Sequence, residues 1–185
     1  MDLNAIKSRL LELIKEKALF YQPIELTSGK KSKYYVDGKQ ITLSGEGAWL
    51  VAKAVLDLIK DDNIEAIGGP TIGADPILGA IVSLSHLSGS PIKGFIVRKE
   101  SKKHGLQKYI EGPFLEKGMR VVIIDDVVTT GGSLLKAAKA AQELGCEVVK
   151  IIVLVDRLEG AIQKLEQHEF KLISLFTRDD LDISL

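Results

Sequence analysis

The sequence has almost no cysteine and no excess of either charge. Cys146 is the single cysteine among 185 residues, so no disulfide bond can form within the chain. Lys plus Arg and Asp plus Glu both total 25, which gives a formal net charge of zero at pH 7. Because proteins dedicated to nucleic acid usually carry a basic excess, this balance argues against that class and predicts no nucleic-acid partner.

Long apolar runs are missing as well. No run approaches the length needed to span a bilayer. Charged residues such as Asp2 and Lys7 stand where a signal peptide would need its apolar core. We therefore expect no membrane association and a cytoplasmic location.

Cysteine and histidine often take part in catalysis, but three such residues in this sequence lack the neighbours that a catalytic role would require. Cys146 lies between a helix pattern and a strand pattern, with no evident base partner, so a small buried thiol is favoured over a nucleophile. His86 and His168 belong to no motif, and we expect them at the surface or in packing contacts.

Apolar periodicity predicts strands that alternate with helices after about residue 44. Helical spacing covers 3–19, a helix capped by Ser44, about 74–87, 133–144 and 159–167, and strand patterns cover 64–67, 92–97, 120–124, 148–155 and 170–175. This alternation predicts one α/β domain, 1–185, with an open, mainly parallel sheet and helices on both faces. Since residues 1–43 do not alternate in this way, we expect them to form a small N-terminal hood on a core of residues 44–185.

The most informative segment, residues 121–133, joins a buried strand to a helix. It reads VVIIDDVVTTGGS: four apolar residues, two acids and a glycine-rich turn. In an open parallel sheet, ligands bind just beyond the carboxyl end of such a strand, and N–H groups at the start of a helix bind phosphate. Asp125 and Asp126 would repel a phosphate and suit sugar hydroxyls, or a metal that itself holds phosphate. The alternative is a buried strand followed by an acidic capping turn.

This segment resembles, at every position, the signature of type I phosphoribosyltransferases, which bind 5-phosphoribosyl 1-diphosphate (PRPP). The resemblance implies the type I phosphoribosyltransferase fold. It implies that Asp125 and Asp126 hold the ribose 2- and 3-hydroxyls, with Asp126 among the catalytic residues. The residues implied to hold the 5-phosphate are Val127, Val128, Thr129, Thr130, Gly131, Gly132 and Ser133.

A basic segment, RKESKKHG at residues 98–105, opens a stretch with almost no apolar periodicity. Taken alone, it is typical of a solvated charged loop. Beside a PRPP signature, mobile cations could close over the leaving pyrophosphate, stabilise its charge and exclude water. Gly105 and Gly112 could then serve as hinges.

The basic segment is similar to the loop Arg-Lys-Glu-x-Lys-x-His-Gly of orotate phosphoribosyltransferases. This resemblance implies that Arg98, Lys99, Lys102 and His104 contact PRPP or pyrophosphate, often across a dimer interface. It makes Lys102 the candidate for transition-state stabilisation and His104 a donor to the leaving group. Lys103 occupies a variable position and receives no role.

An aromatic segment matches the family's cover over the pyrimidine ring. Residues 28–35, SGKKSKYY, resemble the family pattern Ser-Gly-basic-basic-Ser-x-aromatic-aromatic. Tyr34 or Tyr35 could stack on the flat base. On residues alone, two aromatic side chains packed in the core are an equal alternative.

The remaining contacts to orotate are expected at strand ends. Arg157 could bind a carboxylate or carbonyl pair through its planar fork, with Thr129 on the other side. A plain ion pair between Asp156 and Arg157 is the alternative. Residues 68–73, GGPTIG, stand where the family has its pyrophosphate loop, with backbone N–H groups as donors.

Two positions depart from the family pattern. Many relatives have Lys where Thr27 stands, and many have Lys in the loop near Gly73. With both cations missing, the carboxylate of orotate would depend more on Arg157 and backbone donors, with Lys30 or Lys31 as further candidates.

The resemblance, which covers about residues 20–160, implies transfer of the phosphoribosyl group from PRPP to orotate, giving orotidine 5'-phosphate and pyrophosphate. It implies Mg²⁺ held mainly through PRPP, with no direct protein ligand, and a homodimer whose loop 98–112 serves the neighbouring site. Since the sequence supplies no covalent nucleophile, we expect direct displacement. Two alternatives stay open: a phosphoribosyltransferase for a purine or uracil, and a non-catalytic regulator that senses PRPP and binds nucleic acid.

Overall fold

The first elements of the chain are a helix and several short pieces that precede the main sheet in the sequence. A computed structural model describes residues 2–21, 34–100 and 109–183, and the backbone alone at 24–25 and 31–32. Helix α1 (Leu3–Leu13) continues into a π-helical turn, Ile14–Ala18, and Asp2 caps it by accepting the N–H of Ala5 at 2.8 Å. The helix predicted over 3–19 is therefore confirmed as far as Ala18, and Leu19 already belongs to the strand that follows.

Two small antiparallel ribbons and a short helix follow. Strand β1 (Leu19–Phe20) pairs with β4 (Tyr35–Val36), and β2 (Ile24–Glu25) pairs with β3 (Lys31–Ser32). Strand β4 (Tyr35–Val36) returns along β1 and leads into helix α2 (Lys39–Thr42). This segment has its own pairing, as the absence of βα alternation in the sequence predicts.

The rest of the chain alternates strands with helices. The elements are α3 (Gly45–Ile59), β5 (Ala66–Pro70), α4 (Asp75–Leu87), β6 (Lys93–Val97), β7 (Ile110–Glu111), β8 (Arg120–Val128), α5 (Gly132–Glu143), β9 (Glu147–Asp156), α6 (Ala161–Glu166), β10 (Leu172–Thr177) and a 3₁₀ turn, Asp179–Leu181. Ser44 caps α3 as predicted, with its Oγ accepting the N–H of Gly47 at 3.2 Å. Within the described residues, no helix is both long and apolar enough to cross a membrane.

The main sheet has the order β10-β9-β8-β5-β6-β7. All neighbouring strands are parallel except β7, which runs antiparallel to β6. The predicted fold class is confirmed. Since β5 leads to β6 on one side and β8 leads to β9 on the other, the chain switches direction between β5 and β8, and such a switch point opens a crevice at the carboxyl ends of the two strands.

Both faces of the sheet are covered. On β8, Val122 and Ile124 belong to a buried cluster with residues of α1, α3 and α4, whereas Val121 and Ile123 belong to a second cluster with residues of α5 and α6. Burial on alternating sides makes the strand apolar throughout, as expected for a sheet covered on both faces. Each fully buried Ile or Leu side chain stabilises the fold by about 1.5–3 kcal/mol, so the crevice is built on a rigid base.

Strand β8 is longer than predicted, and the difference shapes the site. The sequence pattern ended this strand at Ile124, but it continues through both aspartates to Val128. Pairing with β9 persists to the end, where Val128 lies opposite Asp156, whereas pairing with β5 stops at Ile123. The acidic residues therefore lie on a strand that is held on one side and open to the crevice on the other.

Candidate functional site

Two loops meet at the crevice between β5 and β8. The loop after β5, residues 71–74, is fixed by the Thr71 hydroxyl, which donates to Asp75 Oδ2 at 2.8 Å at the start of α4. The Thr71–Ile72 peptide bond is cis. The turn after β8, residues 129–131, leads into α5. Residues 68–70 end β5 and residues 71–73 open this loop, so the segment reaches the crevice, and its role as a pyrophosphate loop stays a prediction.

Asp125 and Asp126 form a buried acidic pair in this crevice. Their exposed fractions are 8% and 6%. Backbone donors hold both carboxylates: the N–H of Asp126 donates to Asp125 Oδ1 at 3.0 Å, and the N–H of Val127 donates to Asp126 Oδ1 at 2.7 Å. These bonds fix both side chains, and the carboxylates can accept further hydrogen bonds from a ligand.

The two charges disfavour each other. Burial raises the pKa of Asp125 well above its usual value, and the neighbouring charge of Asp126 raises it further. The N–H bond from Asp126 and the positive charge of Lys39 act in the opposite direction. The crevice therefore contains a carboxyl group, that of Asp125, whose protonation can change at the point where a ligand would contact β8.

Two glycines press against the acidic pair from opposite loops. A Cβ atom on Gly73 would lie 2.2 Å from Asp125 Oδ1 and 2.5 Å from Asp126 Oδ1. A Cβ atom on Gly38 would lie 2.7 Å from the Cβ of Asp126. All three distances are too short for real contacts, so only glycine lets these backbones approach the acidic pair.

Lys39 is the cation that pairs with Asp126, and no sequence pattern singled it out. Its Nζ lies 3.4 Å from Asp126 Oδ2 and 3.4 Å from Asp37 Oδ1. Asp37, Gly38 and Lys39 follow the tyrosines of the aromatic segment after one intervening residue, Val36. Their position next to that segment was the one available signal, because the contact joins residues 87 positions apart in the sequence.

The start of α5 presents unpaired backbone donors. Gly131 takes a left-handed conformation, with φ of 74°, and precedes the first residue of the helix. Thr130, Gly132 and Ser133 are exposed and Thr129 is half-buried. Because the first N–H groups of a helix have no partner within it, this turn can bind an anion such as phosphate.

Arg157 lies beside the turn, at the end of β9. Its backbone N–H donates to the carbonyl of Val128 at 3.0 Å, which ties the two strand ends together. Arg157 is 3% exposed, and its guanidinium lies 4.5 Å from the ring centroid of Tyr34 and donates from Nε to the Tyr34 hydroxyl at 3.3 Å. Tyr34 is buried and Tyr35 is half-buried.

The ion pair of Arg157 is not the one considered from the sequence. Its Nη2 lies 3.1 Å from Glu159 Oε1, and Asp156 instead accepts the N–H of Leu158 at 2.8 Å through Oδ1. Asp156 Oδ2 is buried and has no hydrogen-bond partner among the described residues. Burial raises the pKa of Asp156, an effect that the Leu158 N–H partly offsets.

The basic segment begins at the end of β6. Arg98 is exposed and forms an ion pair with Glu111 at 2.9 Å, and Lys99 is exposed. Lys136 of α5 donates to the carbonyl of Lys99 and lies 5.2 Å from the ring centroid of Tyr109. Lys102, His104 and the hinge candidate Gly105 lie outside the described residues, as do Thr27, Ser28, Gly29, Lys30 and Lys33.

The residues set aside on sequence grounds behave as expected. Cys146 is buried, its Sγ donates to the carbonyl of Glu116 at 3.7 Å, and burial raises the pKa of the thiol. A raised pKa disfavours the reactive thiolate. His86 and His168 are exposed. The prediction that these three residues are structural or lie at the surface is confirmed.

The described residues contain no group of three or more His, Cys, Asp or Glu side chains that could enclose a metal ion. Mg²⁺ is usually bound through one or two carboxylates together with substrate phosphates and water, rather than by an all-protein cage. The acidic pair and the adjacent anion-binding turn fit a metal that arrives with a phosphate ligand.

The chain matches the family described as Phosphoribosyl transferase domain over residues 38–176. The matched range begins at Gly38 and includes the acidic pair, the turn before α5 and Arg157. Fold and site together therefore define the class of protein as a phosphoribosyltransferase.

Relatives narrow the class. The orotate phosphoribosyltransferase of Aquifex aeolicus is 47% identical over 178 residues, which cover 95% of this chain and 97% of that protein. The crystal structure of Mycobacterium tuberculosis H37Rv orotate phosphoribosyltransferase in complex with Fe(III) dicitrate has a TM-score of 0.85 at 36% identity, and the same enzyme in complex with PRPP has a TM-score of 0.79 at 33% identity; both cover 96% of this chain and 99% of theirs. The chain belongs to the orotate phosphoribosyltransferase family, and the resemblance read from its motifs is confirmed.

Proposed function

We propose that this protein transfers the 5-phosphoribosyl group from PRPP to orotate, giving orotidine 5'-phosphate and pyrophosphate in pyrimidine biosynthesis. The observation that carries this proposal is the crevice between β5 and β8. There, two fixed carboxylates, an anion-binding helix start and a buried guanidinium lie on adjoining strand ends. Family membership supplies the identity of the two substrates.

The acidic pair binds the ribose. Asp125 and Asp126 accept hydrogen bonds from its 2- and 3-hydroxyls, which is the role that ionised, backbone-fixed carboxylates can fill beside a polyanion. Residues 127–133 bind the 5-phosphate through the N–H groups before α5 and the hydroxyls of Thr129, Thr130 and Ser133. Asp126 also stabilises positive charge that develops on the ribose as the bond to pyrophosphate breaks.

Orotate lies on the Arg157 side of the crevice. The planar guanidinium binds the carboxylate or a carbonyl of the base, and its contacts with Tyr34 and Glu159 hold it in one orientation. Thr129 contributes a hydroxyl from the adjoining strand end. Tyr34 and Tyr35 supply the aromatic cover over the base.

The basic loop binds the leaving group. Arg98, Lys99, Lys102 and His104 contact pyrophosphate, with Lys102 opposite the charge that builds up in the transition state and His104 as donor to the leaving oxygen. The loop, residues 98–112, serves the neighbouring subunit of a homodimer. Exclusion of water by the closed loop protects PRPP from hydrolysis.

Mg²⁺ would be held mainly through PRPP, with no direct protein ligand, and would neutralise part of the charge on the pyrophosphate. The chain itself positions ribose and base so that N1 of orotate faces C1 of the ribose, and it forms no covalent intermediate. The cytoplasmic location and the N-terminal hood expected from the sequence stay predictions.

The test is loss of orotate absorbance with PRPP and Mg²⁺, with uracil and hypoxanthine as competing bases. Turnover of orotate alone is the expected result. Turnover of uracil or hypoxanthine but not of orotate would overturn the orotate assignment. No turnover of any of the three bases would favour a non-catalytic regulator. A mass measurement in solution tests the homodimer, which an active monomer would contradict.

Lys102→Ala tests the loop. We expect turnover to fall by orders of magnitude while PRPP affinity, measured by calorimetry, stays close to that of the parent. Lys103→Ala is the matched control, since it removes the same charge from the next position and should cost far less. Equal losses in both variants would contradict a specific transition-state contact for Lys102.

A further inference from the structure

The crevice contains a cationic side chain, that of Lys39, which lies outside the PRPP signature of residues 121–133. Lys39 is the first residue of α2, and its ammonium bridges Asp37 Oδ1 and Asp126 Oδ2 at 3.4 Å each. Its side chain is 36% exposed, whereas the Asp126 side chain is 9% exposed. The ammonium therefore contacts a buried carboxylate while the lysine side chain keeps part of its surface open to solvent.

A small polar network holds this lysine in place. Asp37 accepts the backbone N–H of Lys39 at 3.3 Å and the side-chain amide of Gln40 at 3.0 Å. Burial opposes the charge of Lys39, but the carboxylates of Asp126 and Asp37, with a smaller effect from Tyr35, outweigh burial and raise its pKa. Lys39 is therefore a fixed positive charge rather than a mobile surface lysine.

The acidic pair needs such a charge. Two adjacent carboxylates with little solvent contact repel each other, and this repulsion favours protonation of one of them. Among the described residues, Lys39 is the cation that forms an ion pair with this carboxylate pair. A bound polyanion would add further negative charge at the same place, so the requirement increases on binding.

Position 73, in the loop after β5, cannot carry a cationic side chain that would offset the charge of the acidic pair. A side chain at position 73 would begin 2.2 Å from Asp125 Oδ1, so the backbone there must pass without one. The corresponding approach on the other side is made by Gly38, which brings the next residue, Lys39, against Asp126. The close packing at Gly38 thus delivers the cation from the N-terminal segment.

We propose that Lys39 is a positioning residue of the PRPP site, which holds the Asp126 carboxylate and offsets the charge of the acidic pair so that the polyanion can bind beside two ionised carboxylates. The inference rests on the proposed function, because it takes the ribose hydroxyls as the ligands of the pair. It assigns to α2 a part in substrate binding that its place outside the signature does not suggest.

The experiment compares Lys39→Met and Lys39→Arg with the parent. Lys60→Met is the matched control, because Lys60 also pairs with an aspartate, Asp57 at 3.1 Å, but on the exposed end of α3. PRPP affinity is measured by calorimetry with Mg²⁺ and without orotate, and kcat/KM for PRPP is measured across pH. Thermal melting is recorded for every variant.

We expect Lys39→Met to weaken PRPP binding by about tenfold, the equivalent of one pKa unit of lost charge interaction. The acidic limb of its pH profile should move to higher pH, because the charge of Lys39 lowers the pKa of Asp125 and of Asp37 and methionine removes that charge; Asp126 and Tyr35 are the other titratable groups that act on the lysine. Lys39→Arg should restore most of the affinity, and Lys60→Met should match the parent. If Lys39→Met fails to fold, Asp37→Asn is the replacement variant. It removes one of the two carboxylates that pair with Lys39 and should give a smaller shift in the same direction.

The outcomes separate this inference from the proposed function. A parent that binds PRPP, beside a folded Lys39→Met with the same affinity and pH profile, overturns the role of Lys39 alone. If Lys39→Met has a lower melting temperature but unchanged PRPP affinity and pH profile, the proposed role of Lys39 is also overturned, because the contact is then purely structural. A parent that binds PRPP but does not use orotate overturns the base assignment and leaves the Lys39 comparison readable. A parent that does not bind PRPP overturns both.

Discussion

Gly73 offers the sharpest test of the crevice, because one added methyl group would meet both carboxylates of the acidic pair. The Cβ of Gly73→Ala would lie 2.2 Å from Asp125 Oδ1 and 2.5 Å from Asp126 Oδ1. Gly73 has no left-handed backbone conformation that would strain alanine. The predicted effect is therefore purely one of space.

The required displacement sets the size of the effect. An ordinary contact between nonbonded heavy atoms is near 3.5 Å, so loop and carboxylates must separate by roughly 1 Å. Asp125 and Asp126 are held by backbone N–H groups on a strand of the main sheet, so the loop should move rather than the carboxylates. A misplacement of this size typically costs about 100-fold in catalytic efficiency, and the crowding costs about 1–3 kcal/mol in stability.

The assay is kcat/KM for PRPP, followed through loss of orotate absorbance, together with the melting temperature. Gly79→Ala is the matched control, because a Cβ at that position in α4 would meet nothing within 4 Å. In a helix interior this change should stabilise the fold by about 0.5–1 kcal/mol and leave activity at the parental level. Gly73→Ala with kcat/KM within about threefold of the parent would refute the reasoning.

Three further predictions address other parts of the chain. Arg157→Lys removes the planar fork that stacks on Tyr34, so KM for orotate should rise about tenfold while KM for PRPP changes little in steady-state assays; an equal rise in both would contradict the base-side role. Cys146→Ala should keep the parental kcat and lower the melting temperature by only a few degrees, because the thiol is a buried packing group; loss of activity in a folded variant would restore the nucleophile. Burial and the charge of Asp126 raise the pKa of Asp125, so kcat/KM for PRPP should be full above that raised pKa and fall as the pH drops through it; an acidic limb at the ordinary pKa of aspartate would contradict this.

Periodicity was sufficient to predict the fold class but not the boundaries that shape the crevice. The sequence pattern ended the third of its strands at Ile124, because aspartates are poor strand residues. In the fold, pairing with β9 carries the strand on to Val128. Likewise, β5 extends through Gly68, Gly69 and Pro70 because β6 pairs with it to Val97, and the Phe95 ring fills the space that a side chain at Gly68 would need. Pairing partners decided both ends, and local sequence does not reveal partners.

The candidate site was predictable where its residues follow strand ends. Asp125 and Arg157 could be placed together because parallel strands bring their carboxyl ends to one edge, and the bond between Arg157 and Val128 agrees with that expectation. Lys39 could not be placed, because its contact with Asp126 depends on how a short helix outside the alternating pattern docks on the sheet. Glu159 was missed for a similar reason, since the turn after β9 decides which carboxylate meets Arg157.

The zero net charge of the chain has a consequence for how a polyanion is bound. A neutral protein exerts little long-range attraction, so affinity must come from charges within a Debye length, about 8 Å at physiological ionic strength. On the acidic side of the crevice the fixed charges are the carboxylates of Asp37, Asp125 and Asp126 and the ammonium of Lys39, and on the other side Arg157 is paired with Glu159, which leaves a local negative excess. The backbone donors before α5 and the cations of the basic loop must therefore outweigh that excess at short range. Because short-range contacts between partly buried groups are weakly screened, PRPP binding should depend far less on salt than it would for a protein with a large basic surface.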